Sequence, residues 1–171
     1  MAKLVAFYSR AGENHYSGVS KIVEVGNTEK VARKIAAQTG AALFRIEQQT
    51  PYPEGYHACA TEARRDKQEN ARPVLAALPE DFGTYDEVYL GYPNYFGTMP
   101  MAVYTFLESL DFSGKTVHPF CTHEGGGLSD TVNDIKKTVP AAVVTAGFAV
   151  RGGETDDCDE ALAAWLKDAA K

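Results

Sequence analysis

The sequence predicts an α/β protein: a doubly wound, five-stranded parallel sheet with strand order 2-1-3-4-5, in one domain over 1–171. Apolar runs at 3–8, 41–46, 85–92, 115–121 and 142–149 are nearly continuous rather than alternating, as expected of strands covered on both faces. Stretches with helical spacing or composition follow them in turn, and such alternation implies a parallel sheet with helices on both sides. Right-handed crossovers then leave few topologies. In the order 2-1-3-4-5 the chain reverses between strands one and three, and ligands bind there, beyond the carboxyl ends of the strands.

The first strand, 3–8, runs into the Ser9 hydroxyl. Residues 10–25 are polar, carry Gly12 and Gly18, and read as an extended loop with a short strand at 21–25. Gly26-Asn27-Thr28 then opens a helix whose Thr28, Val31, Ala32, Ile35, Ala36 and Thr39 share one face, with Gly40 as its stop. The second strand, 41–46, leads to a turn marked by Pro51 and Pro53. Ala, Glu, Arg and Lys make 56–70 a helix, which Pro73 ends before a short apolar piece at 74–78. The third strand, 85–92, breaks at Pro93, and Thr98 is placed to cap a helix at 99–109 with Pro100 in its first turn. After the fourth strand, 115–121, comes a loop from Thr122 to Gly127, then a helix from Ser129 to Val139 and the fifth strand, 142–149. Asp157 and Glu160 resemble a capping box for the last helix, with Ala161, Leu162, Trp165, Leu166 and Ala169 as its buried stripe.

Composition narrows the function classes. Hydrophobic residues are 44% and charged residues 23% of the 171, an ordinary globular balance that can bury a full core without staples. A formal charge of −6 argues against nucleic acid and against an anionic membrane surface as partners. The odd set Cys59, Cys121 and Cys158, without CxxC spacing, points to a reducing compartment and no metal site. No apolar stretch resembles a signal peptide or spans a bilayer, so the expected location is cytoplasmic.

Three loops should meet at the crevice. The first holds Ser9, Arg10 and the Gly26-Asn27-Thr28 turn, where a helix N-terminus offers free N–H groups and its dipole to an anion, phosphate above all. The second, after strand three, is Pro93, Asn94, Tyr95, Phe96, Gly97 and Thr98. The third, after strand four, is Thr122, His123, Glu124 and Gly125 with two further glycines. Phosphate donors beside aromatic rings suit a flat, phosphorylated heteroaromatic ligand. A hydrogen bond to a charged phosphate contributes about 1.5–3 kcal/mol, and ring stacking about 0.5–1.5 kcal/mol beyond area burial.

At these residues the chain resembles the flavodoxin family, more closely its branch with an insertion in the phosphate loop. The resemblance covers nearly the whole length and is most specific at Ser9, Gly26-Asn27-Thr28, 91–100 and 121–125. It implies noncovalent FMN and electron transfer through the flavin. Ser9, Arg10, Asn27 and Thr28 would hold the phosphate. Pro93 to Thr98 and Thr122 to Gly125 would flank the ring system. It implies as partner a redox protein or a small-molecule acceptor: an open flavin edge with acidic rims fits a carrier, and a pocket closed by the 10–25 insertion fits an NAD(P)H-dependent reductase of the quinone type. The chain departs from the family pattern in two places. About fifteen residues separate Ser9-Arg10 from Gly26, where the family has one compact run. Tyr95 and Phe96 stand where a tryptophan is common, and the one tryptophan, Trp165, sits on the last helix as a core residue. Two other classes stay open at this stage: a hydrolase using Cys121 or Ser9 as nucleophile, and a flavin-free binding module on the same fold.

Overall fold

The computed structural model describes residues 1–171. Its main sheet places β4 (Ala42–Arg45), β1 (Ala2–Phe7), β5 (Tyr85–Pro93) and β6 (Thr116–His123) side by side, all parallel. Beyond β6 come β7 (Val143–Val144) and β8 (Phe148–Arg151), both paired in parallel with β6. Counting only strands of this sheet in chain order, the arrangement is 2-1-3-4-5, with the fifth strand in two pieces. The break falls at 145–147, where the Thr145 hydroxyl turns to His118 Nδ1 at 3.0 Å and a Cβ on Gly147 would crowd Leu128.

Each central strand is buried on both sides, which is why its apolar run does not alternate. Leu4 and Ala6 of β1 join Val88 and Leu90 of β5 and α3 (Met101–Ser109) in one core. Val5 and Phe7 face the opposite side, with Tyr89, Phe120, α1 (Asn27–Thr39) and α5 (Asp159–Ala169). Two cores, one per face, define the doubly wound form. α4 (Thr131–Thr138) adds Ile135 to the first core, and α2 (Tyr56–Gln68) buries only Cys59 and Ala63.

Several boundaries differ from the sequence reading. Residues 10–25 are not an extended loop. They fold into an antiparallel hairpin of β2 (Gly12–Tyr16) and β3 (Val19–Val23), joined at Ser17 and Gly18 with φ of 51° and 82°. Thr98 caps nothing. Met99 precedes a proline, which disfavours helical backbone there, so α3 starts at Met101 and the Thr98 hydroxyl pairs with the Tyr104 hydroxyl at 2.7 Å. Thr122 and His123 close β6 rather than opening a loop. Residues 74–78 form no element; Leu75 makes one bridge to Gln48. A 3-10 turn over Gly152–Glu154 delays the last helix, which starts after Cys158 with no side-chain cap, and only Leu162 and Leu166 of its proposed stripe are buried.

Candidate functional site

At the carboxyl end of β1 the chain leaves for the hairpin and returns to the same place. A Cβ on Gly26 would collide with the Ser9 hydroxyl and the Arg10 carbonyl, so only glycine lets the two strands of the turn touch. Ser9 and Gly26, far apart in sequence, thus form one turn from which α1 starts. The first N–H groups of a helix lack intrahelical acceptors. That of Glu29 donates to Ser9 Oγ at 3.1 Å, leaving those of Asn27 and Thr28 at the helix mouth. The Thr28 hydroxyl is turned inward: it is 2% exposed and pairs with the Thr122 hydroxyl at 2.8 Å, tying α1 to the end of β6. Arg10 is also committed, donating to the carbonyls of Glu13, Pro53 and Glu54.

After β5 the chain makes a tight two-residue turn. Tyr95 N–H donates to the Thr98 carbonyl at 2.8 Å, Thr98 N–H returns to the Tyr95 carbonyl at 3.2 Å, and Phe96 and Gly97 both hold positive φ, 56° and 82°. Both central residues at positive φ make this a type I′ geometry. Glycine accepts it freely; a phenylalanine at positive φ is strained, and such strain gathers at functional sites. The exposed Phe96 ring carries the Arg64 guanidinium over its face at 4.9 Å, and the Lys67 ammonium donates to the Phe96 carbonyl at 2.5 Å. Tyr95 packs edge-on against Tyr8 with centroids 6.1 Å apart, and burial pushes its hydroxyl well above the usual tyrosine range. Asn94 fastens this turn to the next loop: its Nδ2 donates to the Gly127 carbonyl and Ser129 Oγ, both at 2.9 Å, and its Oδ1 accepts Gly97 N–H.

Beyond β6, His123 Nδ1 accepts Gly125 N–H at 3.0 Å. Burial, and then the Arg151 guanidinium, hold its imidazole below the usual histidine range. Arg151 Nη1 donates to the Glu124 carbonyl at 3.2 Å.

One cleft joins these parts. It is lined by Arg10, Asn27, Pro93, Asn94, Tyr95, Phe96, Thr122, His123 and Glu124, all singled out in the sequence. The other predicted residues lie around it. Ser9 and Thr28 stand behind the helix mouth, Gly97 and Thr98 complete the Tyr95 turn, and Gly125 anchors His123. The cleft also takes in residues the sequence reading passed over: Asn14 and His15 from β2, and Tyr56, Cys59, Ala60 and Ala63 from α2. The aromatic pair Tyr56-His57, opening the helix that follows β4 after a ten-residue connection, was the available signal. No cluster of His, Cys, Asp or Glu is gathered to hold a metal ion.

The sequence matches the flavodoxin family model over residues 17–169. An inferred flavoprotein of Bacteroides eggerthii is 27% identical, with a TM-score of 0.77 covering 99% of this chain and 98% of the other. A flavoprotein of Lactobacillus acidophilus, solved in complex with FMN, is 21% identical with a TM-score of 0.66, covering 91% and 96%. Oxidised flavodoxin 2 of Bacillus cereus is 15% identical with a TM-score of 0.50, covering 98% and 99%. The last two likenesses, at low identity, establish the fold. No curated protein matches the sequence.

Proposed function

Since the chain belongs to the flavodoxin family, we propose that it is an FMN-binding redox protein whose flavin sits in the cleft described above. The observation that carries the reading is the convergence of three parts at one rim. They are a helix mouth entered through Gly26 where it touches Ser9 and Arg10, a strained turn carrying Tyr95 and Phe96, and, on the facing strand end, His123, whose imidazole is held below the usual histidine range. The residues fit the group. The N–H groups of Asn27 and Thr28 and the α1 dipole receive the phosphate. The Tyr95–Phe96 turn and His123 flank the ring system, and Asn94 keeps the two walls at a fixed spacing through its bonds to Gly97, Gly127 and Ser129. Arg10 supports the phosphate loop from behind, because its guanidinium is spent on three carbonyls. FMN, when bound, supplies the electron chemistry, and the protein supplies orientation and a dry wall.

The hydrolase alternative lacks a nucleophile. Cys121 is fully buried and its thiol is pushed up to about 12, so no thiolate is available at neutral pH. The Ser9 hydroxyl is occupied by Glu29 N–H and has no base beside it.

Titration of the purified protein with FMN and with riboflavin tests the reading. Two charge-assisted bonds at the helix mouth make FMN about a hundredfold tighter or more. Gly26→Ala, whose methyl group collides with Ser9 Oγ and the Arg10 carbonyl and so displaces the helix mouth, brings FMN down toward riboflavin. Equal affinity for the two ligands in the unmodified protein contradicts a phosphate site at this turn, and no FMN binding at micromolar concentration removes the cofactor altogether.

A further inference from the structure

The cofactor reading uses the first half of α2 and leaves its second half without a role. Tyr56, Cys59, Ala60 and Ala63 line the cleft at helical spacing. Arg64 and Lys67, four residues beyond Ala60 and Ala63, continue the same face. Both reach the Phe96 turn. The Arg64 guanidinium lies over the Phe96 ring at 4.9 Å, and the Lys67 ammonium donates to the Phe96 carbonyl at 2.5 Å.

The two cations keep their charge. Both are exposed, and neither is paired with a carboxylate. The acidic side of α2 lies elsewhere. Glu62 and Asp66 line a separate groove with Gln49 and Thr50, where Asp66 accepts the Tyr52 hydroxyl at 2.6 Å. Within the cleft lining, Arg10 and Glu124 are bound to backbone groups. α2 thus sets two uncompensated positive charges on the turn that carries Tyr95 and Phe96, in a chain whose formal charge is −6.

These contacts act in two ways. A phenylalanine at φ 56° is strained and keeps that conformation only where its surroundings over-determine it. A charge-assisted bond to its carbonyl and a cation over its ring do so. Charge also discriminates between forms of a ligand on that wall. A flavin that takes up two electrons and one proton becomes an anion, one charge more negative than the oxidised ring. Fixed cations favour the anion, and by linkage a site that prefers it makes the bound cofactor easier to reduce.

We propose that Arg64 and Lys67 are positioning residues that hold the Phe96 turn in its left-handed conformation and raise the preference of the site for reduced, anionic FMN over oxidised FMN. The assignment rests on the FMN reading.

The test titrates oxidised FMN, and FMN reduced anaerobically with dithionite, separately into the protein and compares the ratio of the two dissociation constants. Lys67→Gln and Arg64→Gln each shift the ratio about threefold against the reduced form, the size of one exposed charge interaction, and the double variant about tenfold. Lys67→Arg, which keeps charge and donor, retains the ratio. In the flavin-free protein, Lys67→Met moves the Phe96 carbonyl carbon resonance. Circular dichroism checks that each variant folds. A ratio unchanged in the double variant, with both forms weakened equally or not at all, overturns the charge role. A ratio shifted as far by Lys67→Arg as by Lys67→Gln overturns it too, and an unmoved Phe96 resonance overturns the positioning role. In each of these cases oxidised FMN still binds and the cofactor reading stands. Failure of the unmodified protein to take up oxidised FMN removes both readings.

Discussion

Thr28 illustrates how a hydroxyl at a helix mouth can be turned to a protein partner. Its type and its position after Gly-Asn suggest a hydroxyl aimed at phosphate. In the structure that hydroxyl is buried against the Thr122 hydroxyl. The pair joins α1 to β6, which lie 94 residues apart in the chain. Removing one hydroxyl leaves the other buried and unpaired, which costs about 1–3 kcal/mol; removing both leaves two apolar groups in contact and costs less than the sum. Urea unfolding of Thr28→Val, Thr122→Val and the double variant measures this coupling. Additive losses would mean that the two hydroxyls do not meet. Phe96 shows the opposite case, in which a residue keeps its expected place but in a backbone conformation its side chain disfavours. No sequence pattern announces a phenylalanine at φ 56°.

The elements that the sequence shows best are those whose burial is one-sided or complete. β1, β5 and β6 are buried on both faces, and their apolar runs are unmistakable; α1 has a clear stripe and a glycine at each end. The hairpin has neither property. Gly12–Tyr16 is half-buried along its whole length and Val19–Val23 is mostly exposed, so no apolar alternation marks it. Its one legible sign is Ser17-Gly18, two residues that accept the positive φ a tight turn demands. The cleft was legible where it lies on strand ends, at Pro93–Phe96 and Thr122–Glu124, and illegible where β2 and α2 supply it, because those contacts depend on how the hairpin folds back. The same geometry makes the hairpin removable. Gly26 returns to within touching distance of Ser9 and Arg10, so a short link can close the gap left by deleting Gly12–Val23. Shortening a loop lowers its closure cost, and the two cores contain no hairpin residue. The deletion variant therefore keeps a cooperative thermal transition and native far-ultraviolet circular dichroism, while iodide quenches its bound flavin more strongly than in the full chain. Loss of cooperative unfolding would show that the hairpin is part of the fold rather than an addition to it.

Across the whole molecule the two ends of the sheet do different work. The carboxyl ends of β1, β5 and β6 open onto the cleft. Near the amino ends, the same three strands hold a polar cluster, with Glu87 and His118 buried and Lys3 half-buried, at the second or third residue of their strands. His118 Nε2 lies 3.1 Å from Glu87 Oε2, Lys3 Nζ lies 3.6 Å from Glu87 Oε1, and the imidazole stacks on Tyr89 at 4.7 Å. His118 is 1% exposed, and burial depresses its affinity for a proton more than the Glu87 carboxylate raises it. The sign of the consequence is fixed by linkage. A histidine whose folded pKa lies below its unfolded value near about 6.5 binds the proton more readily in the unfolded chain. Its contribution to stability is complete above that value and is lost as pH falls through the folded pKa. Stability should therefore decline between pH 7 and pH 5, with His123 at the other end of the sheet, also held below the usual range, contributing in the same sense. His118→Gln keeps a hydrogen-bonding side chain between Glu87 and Thr145 but cannot titrate. Urea unfolding at pH 7, 6 and 5 should give a shallower acid decline for the variant than for the unmodified protein. Equal slopes would place the acid sensitivity elsewhere and show that protonated His118 is held by Glu87 as well as the neutral ring is.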